Sequence, residues 1–488
     1  MKTLFKNISQ HKFKGKNFAS VCKVDNPYTQ KLHIEKPYVS SKEFNTYIEN
    51  AESAASFLNA ITLDERIKIC KEAMNWFKLN EKKVSNEITN SMGKPLIQSV
   101  REISGMIDRA NVLYELSRDA LKEDIIQVDT TTMLKIKKDP IGISFMISPW
   151  NYPLLTVVNA LIASILAGNP VLLKHSVRTP IVGDFFAQAF QSVGATNVVQ
   201  HLFADAKDIP LLYKYKRINY IGFTGSVDTG KSVLKDIADE GRFISSAFEL
   251  GGKDPAYVRE DADLKSAVEG IVDGAVYNSG QSCCSIERVY VHEKLYEDFI
   301  ELAKEEMSKL TIGNPLGYEE NGKLICPSLG PMALPDSLSF LKEQIEKAGE
   351  GGAEIVFGGN ITKDSEGLGR FFEPTLIRNC DNSMDIVRNE SFGPILPVIK
   401  VSSDNEAIEL MNDSDYGLTG AIYSKDYITA EKLGAQLDCG TVYLNRCDSL
   451  NPRLPWAGRK DSGVGIGLSK YGFGAFYKVK GYNFNLPK

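Results

Sequence analysis

Apolar side chains recur every third or fourth position over Glu43–Leu58, Leu63–Leu79 and Leu96–Leu121, which predicts three helices, each burying one face. From Ile141 the pattern changes. Short apolar runs at Ile141–Ile147, Val171–Leu173 and Ile218–Phe223 alternate with helical stretches at Leu154–Leu166, Ile181–Phe190 and Val227–Ile237. That alternation predicts parallel strands joined by crossover helices. A second set follows Gly252, with strands at Ala256–Val258, Glu287–Val291 and Leu418–Ser424. Its helices fall at Leu264–Tyr277, Leu295–Leu310 and Tyr427–Leu437, so two α/β units meet near Glu249–Gly252.

Two stretches fit neither unit. Thr130–Lys138 and Tyr477–Asn485 alternate polar with apolar or aromatic residues, the period-two mark of half-exposed strands. Strands protruding from α/β units leave unpaired edges, and a partner subunit is the simplest cover. A private two-stranded flap is the alternative.

At 488 residues the chain is too long for one simple core, which agrees with the two units. A formal charge of −5 gives no long-range attraction to nucleic acid or anionic membrane. The most apolar stretch, Pro153–Leu173, is interrupted by Asn159 and by Gly168-Asn169-Pro170, so a buried helix and strand are expected rather than a membrane span. Lys2, Lys6, Lys12, Lys14 and Lys16 precede any acid, but no apolar run or arginine accompanies them. A secretory signal is therefore not expected, and an organellar presequence is the weaker alternative to a cytoplasmic protein. Eight cysteines and five histidines are scattered without metal-ligand or disulfide spacing, which suits a reducing compartment and no metal site.

Four motifs could carry chemistry, and each has a plain structural reading beside it. In Gly280-Gln281-Ser282-Cys283-Cys284, a cysteine after a glycine loop is a candidate thiolate nucleophile or a buried structural residue. In Phe248-Glu249-Leu250-Gly251-Gly252, a carboxylate among apolar neighbours suits general-base work near neutrality, or else caps or ion-pairs. Ser148-Pro149-Trp150-Asn151-Tyr152-Pro153 follows the first parallel strand, where open α/β sheets bind ligands, and the Asn151 amide could donate to an oxyanion. A rigid turn explains it equally. Phe223-Thr224-Gly225-Ser226 stands between strand and helix, where backbone amides favour a phosphate, although it lacks the G-x-G-x-x-G fingerprint.

In this order, with Lys174 ending a strand and Glu390-Ser391-Phe392-Gly393-Pro394 downstream, the motifs resemble those of the aldehyde dehydrogenase superfamily from about Asn26 onward. The Glu249-to-Cys283 spacing (283 − 249 = 34) matches that family's base and nucleophile. The resemblance implies an α/β fold with a Rossmann-like cofactor domain, a second α/β catalytic domain and a small β oligomerisation flap. It implies a cofactor domain of residues 1–120 and 141–251, a catalytic domain of 252–461, and bridging segments 121–140 and 462–488 in a homodimer or homotetramer.

It further implies NAD or NADP as cofactor and an aldehyde as substrate. Cys283 would attack the aldehyde, with Asn151 and the Cys283 N–H holding the oxyanion and Glu249 activating water; Cys284 would be a bystander. Lys174 would meet the adenosine ribose, Gly225 and Ser226 the pyrophosphate, and Glu390 and Phe392 the nicotinamide side, with Ser148, Trp150 and Ser176 as further cofactor contacts. The family's usual Lys-Pro-Ser/Ala-Glu is here Lys174-His175-Ser176-Val177-Arg178. Val177 has no carboxylate to repel a 2′-phosphate, and Arg178 adds positive charge nearby whose direction the sequence leaves open. NADP is therefore expected to be tolerated, with a preference for it as the stronger form of that expectation.

Tyr152, Leu155, Leu450 and Trp456 are the expected pocket walls, for an apolar or aromatic aldehyde. Family members acting on semialdehydes carry arginines where this chain has Asn159 and Tyr277, which disfavours a carboxylate-bearing substrate; Arg446 and Arg453 are the remaining cations that could reach the pocket. The rivals are a coenzyme A-acylating enzyme, a semialdehyde dehydrogenase, a thiol hydrolase with a Cys–His pair, and a non-catalytic binding protein on the same scaffold.

Overall fold

The computed structural model describes residues 20–487, so the lysine-rich stretch Lys2–Lys16 lies outside the described residues. Helices Phe44–Ala60, Leu63–Leu79 and Leu96–Ala120 form where the apolar spacing put them. A fourth, Glu81–Met92, escaped the pattern because Ser85, Thr89 and Ser91 share its buried face with Val84, Ile88 and Met92. Two of those hydroxyls are satisfied inside, Ser85 Oγ by the Glu81 carbonyl and Thr89 Oγ1 by Ser99 Oγ.

Five parallel strands, Ile143–Ser148, Val171–His175, Val199–His201, Ile218–Thr224 and Ser245–Glu249, build the first sheet. Counted along the chain they stand in the order 3-2-1-4-5, one half of a Rossmann arrangement. The order reverses between Ile143–Ser148 and Ile218–Thr224, and a crevice opens at the carboxyl ends of those two strands. Period-two alternation splits the core. Val171 and Leu173 pack on one face with Phe77 and Phe186, while Leu172 joins Phe44, Ile48 and Ile221 on the other. The apolar stretch from Pro153 becomes the buried helix Leu155–Leu166 and the strand Val171–His175. No helix among the described residues is long and apolar enough to cross a membrane.

The second sheet has seven strands in the order Glu354–Phe357, Thr375–Arg378, Ile395–Val401, Ile286–His292, Asp254–Val258, Thr419–Tyr423 and Thr441–Leu444. All neighbours are parallel except the first pair. Leu250–Lys253 is the short joint between the sheets, leading from the end of Ser245–Glu249 into Asp254–Val258.

The two alternating stretches pair with each other, Thr132↔Asn485 through Pro140↔Tyr477, and Asp124–Val128 adds a third antiparallel strand. The flap is thus larger than the two-stranded alternative. Residues 462–476, expected to protrude with it, do not. Gly463–Val464 extends the first sheet beside Phe248 and Glu249, and Phe473 and Phe476 are buried in its core. The sequence pattern hid this because an edge strand of two residues carries no periodicity.

Candidate active site

The crevice at the strand ends widens into a cleft of about 1320 Å³ between the two sheets. It is lined by Asn151, Glu249 and Cys283, the three residues expected to do the chemistry. Lys174, Ser176, Gly225 and Ser226 line it too, as do Ser148, Trp150, Glu390 and Phe392. Trp150 and Phe392 meet edge to face with ring centroids 5.7 Å apart. Tyr152, Leu155, Leu450 and Trp456 complete the set.

Glycines allow the motifs to touch backbone to backbone. A Cβ on Gly252 would stand 2.1 Å from the Cys283 carbonyl oxygen, and one on Gly280, at φ +70°, 2.2 Å from the Gly393 carbonyl. No side chain fits at either place, so the Glu249 loop rests on the Cys283 loop and that loop on the Glu390 segment. A buried ion pair fastens the same joint. Lys253 Nζ donates to Glu287 Oε2 (2.7 Å) and Ser391 Oγ (2.9 Å), while Glu287 accepts from the amides of Ser391 and Phe392 at 2.7 and 2.8 Å. Asn151 is drawn in by its Nδ2, which donates to the Gln281 carbonyl at 3.2 Å, and by its carbonyl, which accepts from Asn278 Nδ2 at 3.2 Å.

Charge is tuned by desolvation. Burial pushes the Glu249 carboxyl up to about 7, against the opposing pull of the Arg109 charge and a Thr224 hydrogen bond. A carboxylate with that value accepts a proton from water near neutral pH. Cys284 is held well above the ordinary thiol range, first by its hydrogen bond to Cys283, then by burial and the Asp448 charge. It stays a neutral thiol beside Cys283, with Asp448 Oδ1 at 2.9 Å.

The cofactor half is built from strand and helix ends. Burial lowers Lys174 to about 8, and no carboxylate forms an ion pair with it among the described residues. Helix Val227–Asp239 points its N-terminus into the cleft, capped by Ser226 Oγ, which accepts from Thr229 N. Gly225 N–H donates to the Glu249 carbonyl (3.1 Å), so it offers no free amide, and its missing Cβ makes room for the Phe223 ring. An unpaired ammonium, an open helix N-terminus and a long crevice at the sheet's switch point fit a dinucleotide. His175, buried and pushed down to about 3, bridges the Pro153 carbonyl (3.0 Å) and Thr179 Oγ1 (3.1 Å), tying the Lys174 strand end to the Asn151 loop. The fold decides the direction of the Arg178 charge, which the sequence left open. Arg178 is buried outside the cleft, with Nη1 on Asp25 Oδ1 and Nη2 on the Asp25 carbonyl, so its charge does not face a ribose.

The aldehyde dehydrogenase family model matches residues 14–482. The chain belongs to the aldehyde dehydrogenase family. It is 32% identical to an aldehyde dehydrogenase of Paenarthrobacter nicotinovorans, over 90% of this chain and 94% of that one. Among solved structures it is similar to betaine aldehyde dehydrogenase from Staphylococcus aureus in complex with NAD+, at 28% identity and a TM-score of 0.88, covering 96% of this chain and 92% of that one. It is also similar to an Escherichia coli NADP-dependent enzyme, at 28% identity and a TM-score of 0.89, covering 96% and 95%. This member of the family is an enzyme that oxidises aldehydes.

Its substrate side departs from the apolar lining expected. Arg109, Asn159, Asn445 and Asp448 line the cleft beside Leu155 and Trp456. Arg446 lines it as well, whereas Arg453 pairs with Glu115 at the surface. Glu102 and Lys94 were also missed. Glu102 Oε1 accepts from the amides of Leu154 and Leu155 (2.8 and 3.2 Å), and Lys94, its ion-pair partner, lies 4.1 Å from the centre of the Tyr152 ring. Gln98, Glu102, Gly105 and Arg109 recur at three- and four-residue spacing, so one stripe of helix Leu96–Ala120 serves the site. That polar break in an apolar stripe was the signal available.

Proposed function

We propose that this enzyme converts an aldehyde to a carboxylic acid through a thioester on Cys283. The Cys283 thiolate adds to the aldehyde carbon, and the carbonyl electron pair moves to oxygen. Asn151 Nδ2 and the Cys283 N–H stabilise that oxyanion. Bound in the cleft, the nicotinamide supplies the hydride acceptor. The oxyanion collapses as hydride leaves, giving a thioester. Glu249 then takes a proton from water, the hydroxide adds to the thioester, and the carbon–sulfur bond breaks to release acid and thiolate. The observation that carries the reading is the Gly252–Cys283 contact, which sets the Glu249 and Cys283 loops on one cleft wall.

Water rather than coenzyme A is the proposed acyl acceptor because Glu249 lies half-buried in the cleft with its carboxyl raised to about 7. Acid formation without coenzyme A tests this; strict dependence on coenzyme A would reject it. On the cofactor side, Val177 lines the cleft without a carboxylate, which supports acceptance of NADP as well as NAD. An NAD preference above about a hundredfold in kcat/KM, about 2.7 kcal/mol, would reject that reading.

Residues 1–120 and 141–251 are proposed as the cofactor domain and 252–461 as the catalytic domain. A homodimer or homotetramer is proposed through the flap, where Ile125, Ile126, Val128, Val479 and Phe484 are exposed. Light scattering that returns a monomer would contradict it. All eight cysteines are free, which suits a reducing, cytoplasm-like compartment.

A further inference from the structure

We infer that Arg109 selects an aldehyde carrying a distal carboxylate, a deeper reading of the site that rests on the oxidation proposed above. Arg109 Nη1 donates to the Leu155 carbonyl and to Asn159 Oδ1, both at 3.1 Å. Its Nε and Nη2 have no acceptor, and no carboxylate forms an ion pair with it, among the described residues. The three buried arginines among the described residues are satisfied differently. Arg288 spends its nitrogens on the carbonyls of Lys253, Leu410 and Met411 and on Tyr290 Oη, and Arg178 and Arg370 share Asp25. Arg109 alone among these four lines the cleft.

The Arg109 guanidinium is half-buried and lines the cleft, so an anion bound there would complete the hydrogen bonds that its Nε and Nη2 lack. Helix Leu96–Ala120 fixes its direction, because Glu102 and Gly105 on the same stripe pack against the start of helix Leu155–Leu166. The Nε–Nη2 edge left open presents two parallel N–H groups, the geometry that two carboxylate oxygens match. Four acids lie nearby without pairing to it. Asp448 accepts from Cys284 Sγ at 2.9 Å, and Glu102 is held by Lys94 and the Leu154 and Leu155 amides. Asp273 lies near Arg101, and Glu249 feels the Arg109 charge without forming an ion pair. The cation needed for an acidic substrate was sought at Asn159 and Tyr277; here it comes from a different helix and uses Asn159 as its brace.

The test compares 4-oxobutanoate and 5-oxopentanoate with their methyl esters, which remove the charge and add one methyl group. The parent enzyme should favour at least one acid over its ester by about tenfold or more in kcat/KM. Arg109→Met should erase that ratio, chiefly by raising KM for the acid, with a much smaller loss on the ester; Arg109→Lys should keep part of it. Glutarate should also inhibit the parent competitively against the aldehyde, and dimethyl glutarate should not, a readout that needs no variant. The inference is overturned if the parent oxidises ester and acid alike, or if Arg109→Met retains the acid preference. A parent that oxidises neither kind of aldehyde would instead overturn the dehydrogenase reading beneath it.

Discussion

The two walls of the cleft are made in different ways. On the cofactor wall the chemistry sits on backbone. Strand ends at Ser148, His175 and Thr224, the helix starting at Val227, and the contacts at Gly252 and Gly280 define it. On the substrate wall it sits on long side chains from separate helices and loops, with Arg109, Asn159 and Asp448 converging from far apart in the chain. A backbone wall is set by local punctuation and stays rigid. A side-chain wall is set by packing and is open to change one residue at a time, which suits a fixed cofactor opposite a variable aldehyde.

If the walls act separately, damage to one should spare the other. The largest effect is expected at their junction. Cys283→Ala should lower turnover by about 10⁴-fold or more while leaving cofactor affinity, followed by nicotinamide fluorescence, nearly unchanged. Lost cofactor binding in that variant would mean that the walls are not independent.

Glu287→Gln comes next. It strands Lys253, whose side chain is fully buried, and should destabilise the enzyme by about 3 kcal/mol in thermal or denaturant unfolding. Activity per folded molecule should fall with it, because the Ser391 and Phe392 amides lose their carboxylate.

Lys174→Met should raise KM for the dinucleotide by roughly tenfold and leave KM for the aldehyde unchanged. With Lys174 at about 8, the parent's cofactor KM should rise between pH 7 and 9 as the ammonium loses its proton, and the variant should show no such rise.

The smallest effect is on stability. Glu249 ionises at about 7 when folded and near its ordinary 4.5 when unfolded, so the unfolded state releases its proton first as pH rises. The parent therefore loses stability between those values and does not regain it above. Glu249→Gln should melt higher than the parent at pH 8, with the gap closing below about pH 4.5.

What could be read from sequence follows the same division. Three of the five parallel strands of the first sheet were visible as apolar runs. Val199–His201 is too short, and Ser245–Glu249 begins with exposed Ser245, so neither has a clear pattern. The Asn151, Glu249 and Cys283 motifs stood out because proline and glycine mark where backbone must turn or touch. Arg109 did not, because a lone arginine on a helix reads as solvated until the facing helix is in place. Glu287 was hidden beside Arg288 in a buried strand, where only the fold shows Lys253 as its partner.

The central claim is a covalent acyl group on Cys283 that Glu249 releases. Intact mass and peptide mapping of Glu249→Gln, mixed with excess aldehyde and cofactor and quenched in acid, test it most directly. The account predicts one equivalent of reduced nicotinamide formed in a burst, slow turnover reduced about 10²–10⁴-fold, and the acyl mass on the peptide carrying Cys283. Parent-like turnover with no added mass, or acyl mass on a different cysteine, would contradict it.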